Sequence, residues 1–171
     1  MSSLIYIDGQ LCSFSEYIML RESVEPKETE YGTDGKNKEW QHTPNEHHAY
    51  TFFSHTPEHH VCVNIQKHYG IMGFGVHKGK FSNNPEDYLN ESRTNTSDSL
   101  KVFNKVAHVA IQGVKQHNMP HLRFNGADAK LNHTYDMITK NKFFNKSLEK
   151  HNMKYEGKLK NNHLFKNLEH K

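Results

Sequence analysis

Apolar residues between positions 100 and 114 fall on two adjoining helical stripes, and no other feature restricts the fold as much. Leu100, Phe103, Ala107, Ala110 and Val114 make one stripe; Val102, Val106 and Val109 make the other. A helix with so broad an apolar surface is stable only when it lies across another apolar layer. Ser97 or Asp98 caps its start, and Asn118-Met119-Pro120 stops it after about five turns.

The layer beneath it reads as a sheet. Residues 50–53 are aromatic and β-branched. Val61, Val63 and Ile65 alternate with Cys62, Asn64 and Gln66, the period of a half-buried strand. Residues 69–76 form a further run, with Gly70, Gly73 and Gly75 set for a bulge or a close backbone approach. Beyond the long helix, residues 121–125 predict a short strand with Leu122 and Phe124 inward. Leu131, Tyr135 and Ile138 share one helical face, and Phe143, Phe144 and Leu148 continue as a second helix after a break near Asn141. The end predicts a hairpin, residues 153–159 against 164–168, turned at Asn161-Asn162.

The front of the chain is different. Leu4-Ile5-Tyr6-Ile7 and Gln10-Leu11-Cys12 flank Asp8-Gly9, a pair suited to a type I′ turn. Ser13 or Ser15 then caps a short helix through Tyr17, Ile18 and Leu20. Residues 22–46 form an acidic loop or insertion without periodicity, anchored to the body by Trp40. The expected organisation is an N-terminal hairpin and short helix over 1–21, the insertion over 22–46, and an α/β body over 47–171, one domain overall. The expected class is α+β, a central mostly antiparallel sheet with helices packed across it in β-β-β-α-β-α-β order.

Charge is distributed unevenly. Residues 1–46 hold four Lys/Arg against nine Asp/Glu, a balance of −5, whereas residues 99–171 hold fourteen against five, a balance of +9. An acidic front and a basic rear attract one another within a fold, between copies in a homo-oligomer, or toward separate partners. No basic start with a following apolar run marks a secretory signal, and no apolar segment reaches the length of a membrane span. An intracellular location without membrane contact is therefore expected, and Cys12 and Cys62 read as small buried hydrophobes.

Residue chemistry gives few sites. Fifteen histidines invite a metal reading, and His47, His55, His59 and His60 are its candidates. They lack the paired, regular spacing of a zinc site, so no metal is expected. The span 83–97 is irregular, and Glu86-Asp87 there reads as solvated charge. The glycines at 70, 73 and 75 lack the Lys-Ser/Thr of a phosphate loop. The basic rear supplies Lys142, Lys146, Lys150, Lys154, Lys158 and Lys160, with Phe143, Phe144 and Tyr155 nearby, a pattern suited to nucleic acid.

From residue 50 onward, the order of elements resembles the GNAT superfamily of acyltransferases. In that family a Q/R-x-x-G-x-G/A loop and the following helix N-terminus bind the pyrophosphate of acyl-coenzyme A. Arg93 stands where the loop begins, while Thr96 and Asp98 occupy its glycine positions. The resemblance implies a cofactor loop of Arg93, Thr94, Asn95, Thr96 and Ser97, with Asp98 adding negative charge where phosphate would sit. The run Y-D-M-I-T-K-N-K-F-F resembles the family's Y-x-x-x-G-F, which implies Tyr135 as general acid and acetyl-coenzyme A as cofactor. A further resemblance, to uncharacterised small proteins of tailed bacteriophages, rests on Val102-Phe103-x-x-Val106 after a polar turn and on Phe124-Asn125-Gly126-Ala127.

Three functions follow. The first is a phage-type accessory protein on a degraded GNAT-like scaffold, virion-associated or host-directed, binding a phage or host protein without catalysis or cofactor. The second is an N-acetyltransferase using Tyr135. The third is nucleic-acid binding through the basic rear.

Overall fold

The computed structural model describes residues 4–7, 10–13, 40–42, 47–89, 99–126 and 129–171. The predicted cofactor loop (Arg93 to Ser97), the Asp98 cap, the short helix through Tyr17 and most of the acidic insertion lie outside them. The Cys12, Leu100 and Leu131 side chains are likewise outside what is described.

Strands β1 (Leu4–Ile7) and β2 (Gln10–Ser13) pair antiparallel, with Ile7 opposite Gln10. The body is a seven-stranded sheet of β3 (Gln41–His42), β4 (His48–Thr56), β5 (His59–Gln66), β6 (Ile71–Lys78), β7 (His121–Phe124), β8 (Met153–Leu159) and β9 (Asn162–Asn167). Its spatial order is β3-β4-β5-β6-β7-β9-β8. Neighbours run antiparallel except β6 and β7, which are parallel. The helices are α1 (Glu86–Leu89), α2 (Ser99–Gln116), α3 (Ala129–Lys140) and α4 (Lys142–Lys150). The class is α+β with a mostly antiparallel sheet.

The striped helix lies where its pattern requires. Val102, Phe103, Val106, Val109, Ala110 and Val114 of α2 are buried in one cluster with Val61, Val63 and Ile65 of β5. Tyr135 and Ile138 of α3 and Phe144 and Leu148 of α4 join the same cluster over Leu122, Phe124, Met153 and Phe165. All three long helices therefore cover one face of the sheet.

Asparagines end and start these helices. Asn118 adopts φ 47, and Met119 N–H donates to the Val114 carbonyl at 2.9 Å, closing α2 in a left-handed cap. Asn141 is the break between α3 and α4; its side-chain oxygen accepts from the N–H groups of Phe143 and Phe144.

Three local readings change. The half-buried pattern of β5 holds only in part, because His60 and Cys62 on its second face are buried too. Cys62 lies in a small cluster with Phe52 and Tyr88, against which Phe81 packs, and the His60 ring is 5.4 Å from that of Phe81. Within 83–97, the span that reads as irregular, α1 forms and Tyr88 is buried, its hydroxyl donating to the Ser82 carbonyl at 2.8 Å. Glu86 stays exposed, but the Asp87 carboxylate accepts from the Ser82 hydroxyl. The last turn is Lys160-Asn161, not Asn161-Asn162. Lys160 takes the left-handed conformation (φ 56), and Leu159 pairs with Asn162.

The glycines of β6 separate by role. Gly70 turns the chain at φ 61, and a Cβ on Gly75 would run into the Tyr88 carbonyl where α1 crosses β6. Gly73 makes ordinary contacts.

Trp40 is buried against α2 at Gly113, with its ring edge-on to His117 at 5.7 Å. A Cβ at Gly113 would lie 2.5 Å from Trp40 Cζ2 and 2.7 Å from Ile65 Cδ1. Gly113→Val is expected to cost about 2 kcal/mol by overpacking, seen as a Tm lower by roughly 4–8 °C in thermal denaturation. An unchanged Tm would contradict this packing.

Candidate functional site

The junction of the two halves of the sheet is narrow. Parallel β6 and β7 share a single register pair, Ile71 with Arg123. The Arg123 N–H donates to the Gly70 carbonyl at 2.6 Å, and its guanidinium donates to the Tyr69 carbonyl. Arg123 thus ties the β5–β6 turn to β7 by both backbone and side chain.

Beyond this junction the sheet face opposite the helices carries two cross-strand rows. One row is Ile71, Arg123, Leu164 and Gly157; the other is His121, Lys166 and Lys154. Directly opposed residues of antiparallel strands have Cβ atoms about 5 Å apart. Lys166 and Lys154 are both exposed, so two like charges face each other with water above them. The first row is apolar apart from Arg123. Ile71 is 37 % exposed, Leu164 is half-buried, and a Cβ on Gly157 would meet nothing within 4 Å. Tyr69, 64 % exposed, lies in the adjoining β5–β6 turn, where its carbonyl accepts from Arg123.

On the helix-covered face a polar chain leads inward. Lys158 Nζ donates to Asp136 Oδ1 at 3.0 Å; that oxygen lies 3.5 Å from His163 Nε2, and His163 Nδ1 is 3.1 Å from the Tyr155 hydroxyl. His163 is wholly buried. A carboxylate only accepts, so the favoured imidazole carries its proton on Nε2 and takes the Tyr155 O–H at Nδ1. Nε2 nevertheless lacks a hydrogen bond, leaving only electrostatic attraction to Asp136. Burial, and then Lys158, hold the His163 pKa below its ordinary range, with Asp136 opposing them. The hydrogen bond from Lys158 lowers Asp136.

Tyr135 sits apart from any such chain. Its ring is 4.9 Å from that of Phe103 and 5.1 Å from that of Phe124, inside the core, and burial pushes its phenol up to about 12. The Cys62 thiol, also pushed up to about 12 by burial, is inert as a nucleophile.

The four candidate histidines disperse. His47 is exposed, 4.6 Å ring to ring from His68, and His55 Nδ1 accepts from Lys105 Nζ at 3.2 Å. His59 Nδ1 lies 3.0 Å from Thr56 Oγ1. Buried His60 donates from Nε2 to the Gly79 carbonyl at 2.9 Å and accepts from the Ser54 hydroxyl at 2.7 Å, a core histidine with both ring nitrogens satisfied. Among the described residues no three His, Cys, Asp or Glu side chains gather as a metal site.

The six lysines also divide. Lys142, Lys146 and Lys150 share the exposed side of α4, Lys154 belongs to the opposite sheet face, Lys158 is held by Asp136, and Lys160 makes the hairpin turn. The core holds a small cavity of about 20 Å³, lined by Met72, Phe103, Leu122, Phe144 and other apolar side chains. Its apolar lining offers a water molecule no polar partner. No described helix is long and apolar enough to cross a membrane.

Sequence reasoning missed the two rows and the His163 chain. Alternation in 121–124 and 162–167 marks an outer face, but which residues stand side by side depends on register across β7, β9 and β8. Comparison with protein-family models, curated proteins and solved structures finds no match.

Two outcomes are expected. Because folded His163 resists a proton that the unfolded chain accepts near 6.5, stability is full above that pH and falls as pH drops through it toward the depressed folded pKa. His151, lowered by burial and by Lys115 and Lys150, adds to the same window. Urea unfolding is expected to show a lower midpoint at about pH 5 than at about pH 7.5, and His163→Gln to remove part of the difference. An identical pH dependence in the variant would contradict the assignment. Second, Lys154→Glu turns a like-charge pair into an opposite one, and is expected to stabilise the fold by about 0.5 kcal/mol in denaturant titration. A loss of stability would mean that the two lysines do not face each other.

Proposed function

We propose that the chain is a non-catalytic accessory protein of phage type, on a scaffold resembling the GNAT acyltransferases, that works by binding a macromolecule through the open sheet face. The carrying observation is the exposed Lys166–Lys154 pair beside the row of Ile71, Leu164 and Gly157. Like charges placed in register cost stability, and a ligand that neutralises them offsets that cost. The scaffold reading draws support from the sheet order, with α2 connecting parallel neighbours β6 and β7 and β9 inserted between β7 and β8.

The polar groups elsewhere favour structural over catalytic roles. Both His60 nitrogens have partners within the fold, Tyr135 is packed among aromatic rings, and His163 of β9 is wholly buried.

A second reading has one observation in its favour. In GNAT enzymes a V-shaped opening between two strands holds the pantetheine arm, and β6 and β7 here share one register pair. Calorimetry separates the two. Acetyl-coenzyme A at millimolar concentration is expected to give no binding heat. Saturable binding with a micromolar Kd, lost when Arg93 is replaced by Ala, would overturn the non-catalytic reading and favour an acetyltransferase.

A further inference from the structure

We propose that the open face of β7, β9 and β8 binds single-stranded nucleic acid, with phosphates along His121, Lys166 and Lys154 and bases against Ile71, Arg123, Leu164 and Tyr69. This rests on the reading of the chain as a binding protein and names its ligand.

Charge sets the class of ligand. The three strands carry one carboxylate, Glu156, against Arg123, Lys154, Lys158 and Lys166. Lys158 is spent on Asp136 on the other face. Lys154 and Lys166 lie in register with each other, and His121 is in register with Lys166 on the far side. A polyanion neutralises such a row as a unit and releases its own counterions in doing so.

The neighbouring row sets the form of the polyanion. Ile71 and Leu164 offer apolar surface, Gly157 leaves space, and Tyr69 presents an exposed ring. The Arg123 guanidinium, in the same row, is fixed by the Tyr69 carbonyl. Aromatic rings and guanidinium planes beside a basic track are what unpaired bases stack on. A duplex keeps its bases inside and is read by an element that enters a groove. This pleated face has no projecting helix or ribbon among the described residues. An acidic protein segment would satisfy the lysines but leave the apolar row and Tyr69 without a role.

The test is fluorescence anisotropy with labelled twelve-residue oligo-dT and oligo-rU, using a duplex of the same length and poly-glutamate as competitors. Binding is expected in the range of about 10⁻⁴ to 10⁻⁶ M and to weaken as salt rises. Lys154→Glu and Lys166→Glu are each expected to weaken it roughly tenfold or more, and Lys154→Gln to reduce the salt slope by about 0.7. Tyr69→Ala is expected to weaken it roughly tenfold through lost stacking. Lys146→Glu and Lys150→Glu, on the separate α4 surface, are expected to change it less than twofold. Circular dichroism of each variant confirms that the fold is retained. Absence of oligonucleotide binding at about 50 mM salt overturns the proposal. So does equal or stronger competition by duplex, equal competition by poly-glutamate, or a dominant effect of the α4 substitutions. These failures are distinct from acetyl-coenzyme A binding, which would overturn the underlying reading instead.

Discussion

Burial of one face of β5 beneath α2 is the contact on which the remaining structure depends. Val61, Val63 and Ile65 are fully buried, as are Val106 and Val114 of the helix above them. Burying each such side chain contributes about 1.5–3 kcal/mol, so the three strand residues alone approach the net stability of a whole domain. Trp40 extends the same layer by occupying the space left by Gly113. The helix is fixed in place mainly by volume, with Lys105 to His55 and Lys115 to Glu169 as polar contacts at its margin.

The two faces of the sheet diverge as a result. With α2, α3 and α4 on one side, among the described residues the second face is covered where Phe81 and Tyr88 pack against Phe52 and Cys62. Toward β7, β9 and β8 the same face is lined by Lys154 and Lys166. Cost and benefit differ between the faces. Buried His163 with an unbonded nitrogen costs about 1–3 kcal/mol, set against a well-packed aromatic cluster of Phe124, Tyr135, Tyr155 and Phe165. Among the described residues the exposed lysine pair has no such compensation, and the proposed ligand would supply it.

Much of the architecture was legible in the residues. The two stripes of α2, the alternation of Val61, Val63 and Ile65, the anchoring Trp40 and the break at Asn141 are local patterns, and local patterns follow from the 3.6 and 2.0 periods. What escaped depends on contacts distant in sequence. Tyr88 is buried because it meets Phe52 and Cys62 across the sheet, and nothing in a polar span announces that. The final turn shifted by one residue because strand register, not asparagine preference, placed Lys160 at the left-handed position. The six lysines looked like one patch in sequence, yet strand alternation, an ion pair and a helix face separate them. Histidine count was a poor guide for the same reason. His60 and His163 are core groups, defined by partners far along the chain.

The most direct test of the two-faced account is a map of amide shifts in ¹⁵N-labelled protein during titration with a single-stranded oligonucleotide. The account requires the perturbed amides to cluster at Tyr69, Ile71, His121, Arg123, Lys154, Leu164 and Lys166, with Lys142, Lys146 and Lys150 of α4 unmoved. Perturbation centred on α4, or spread over the helix-covered face, would contradict it.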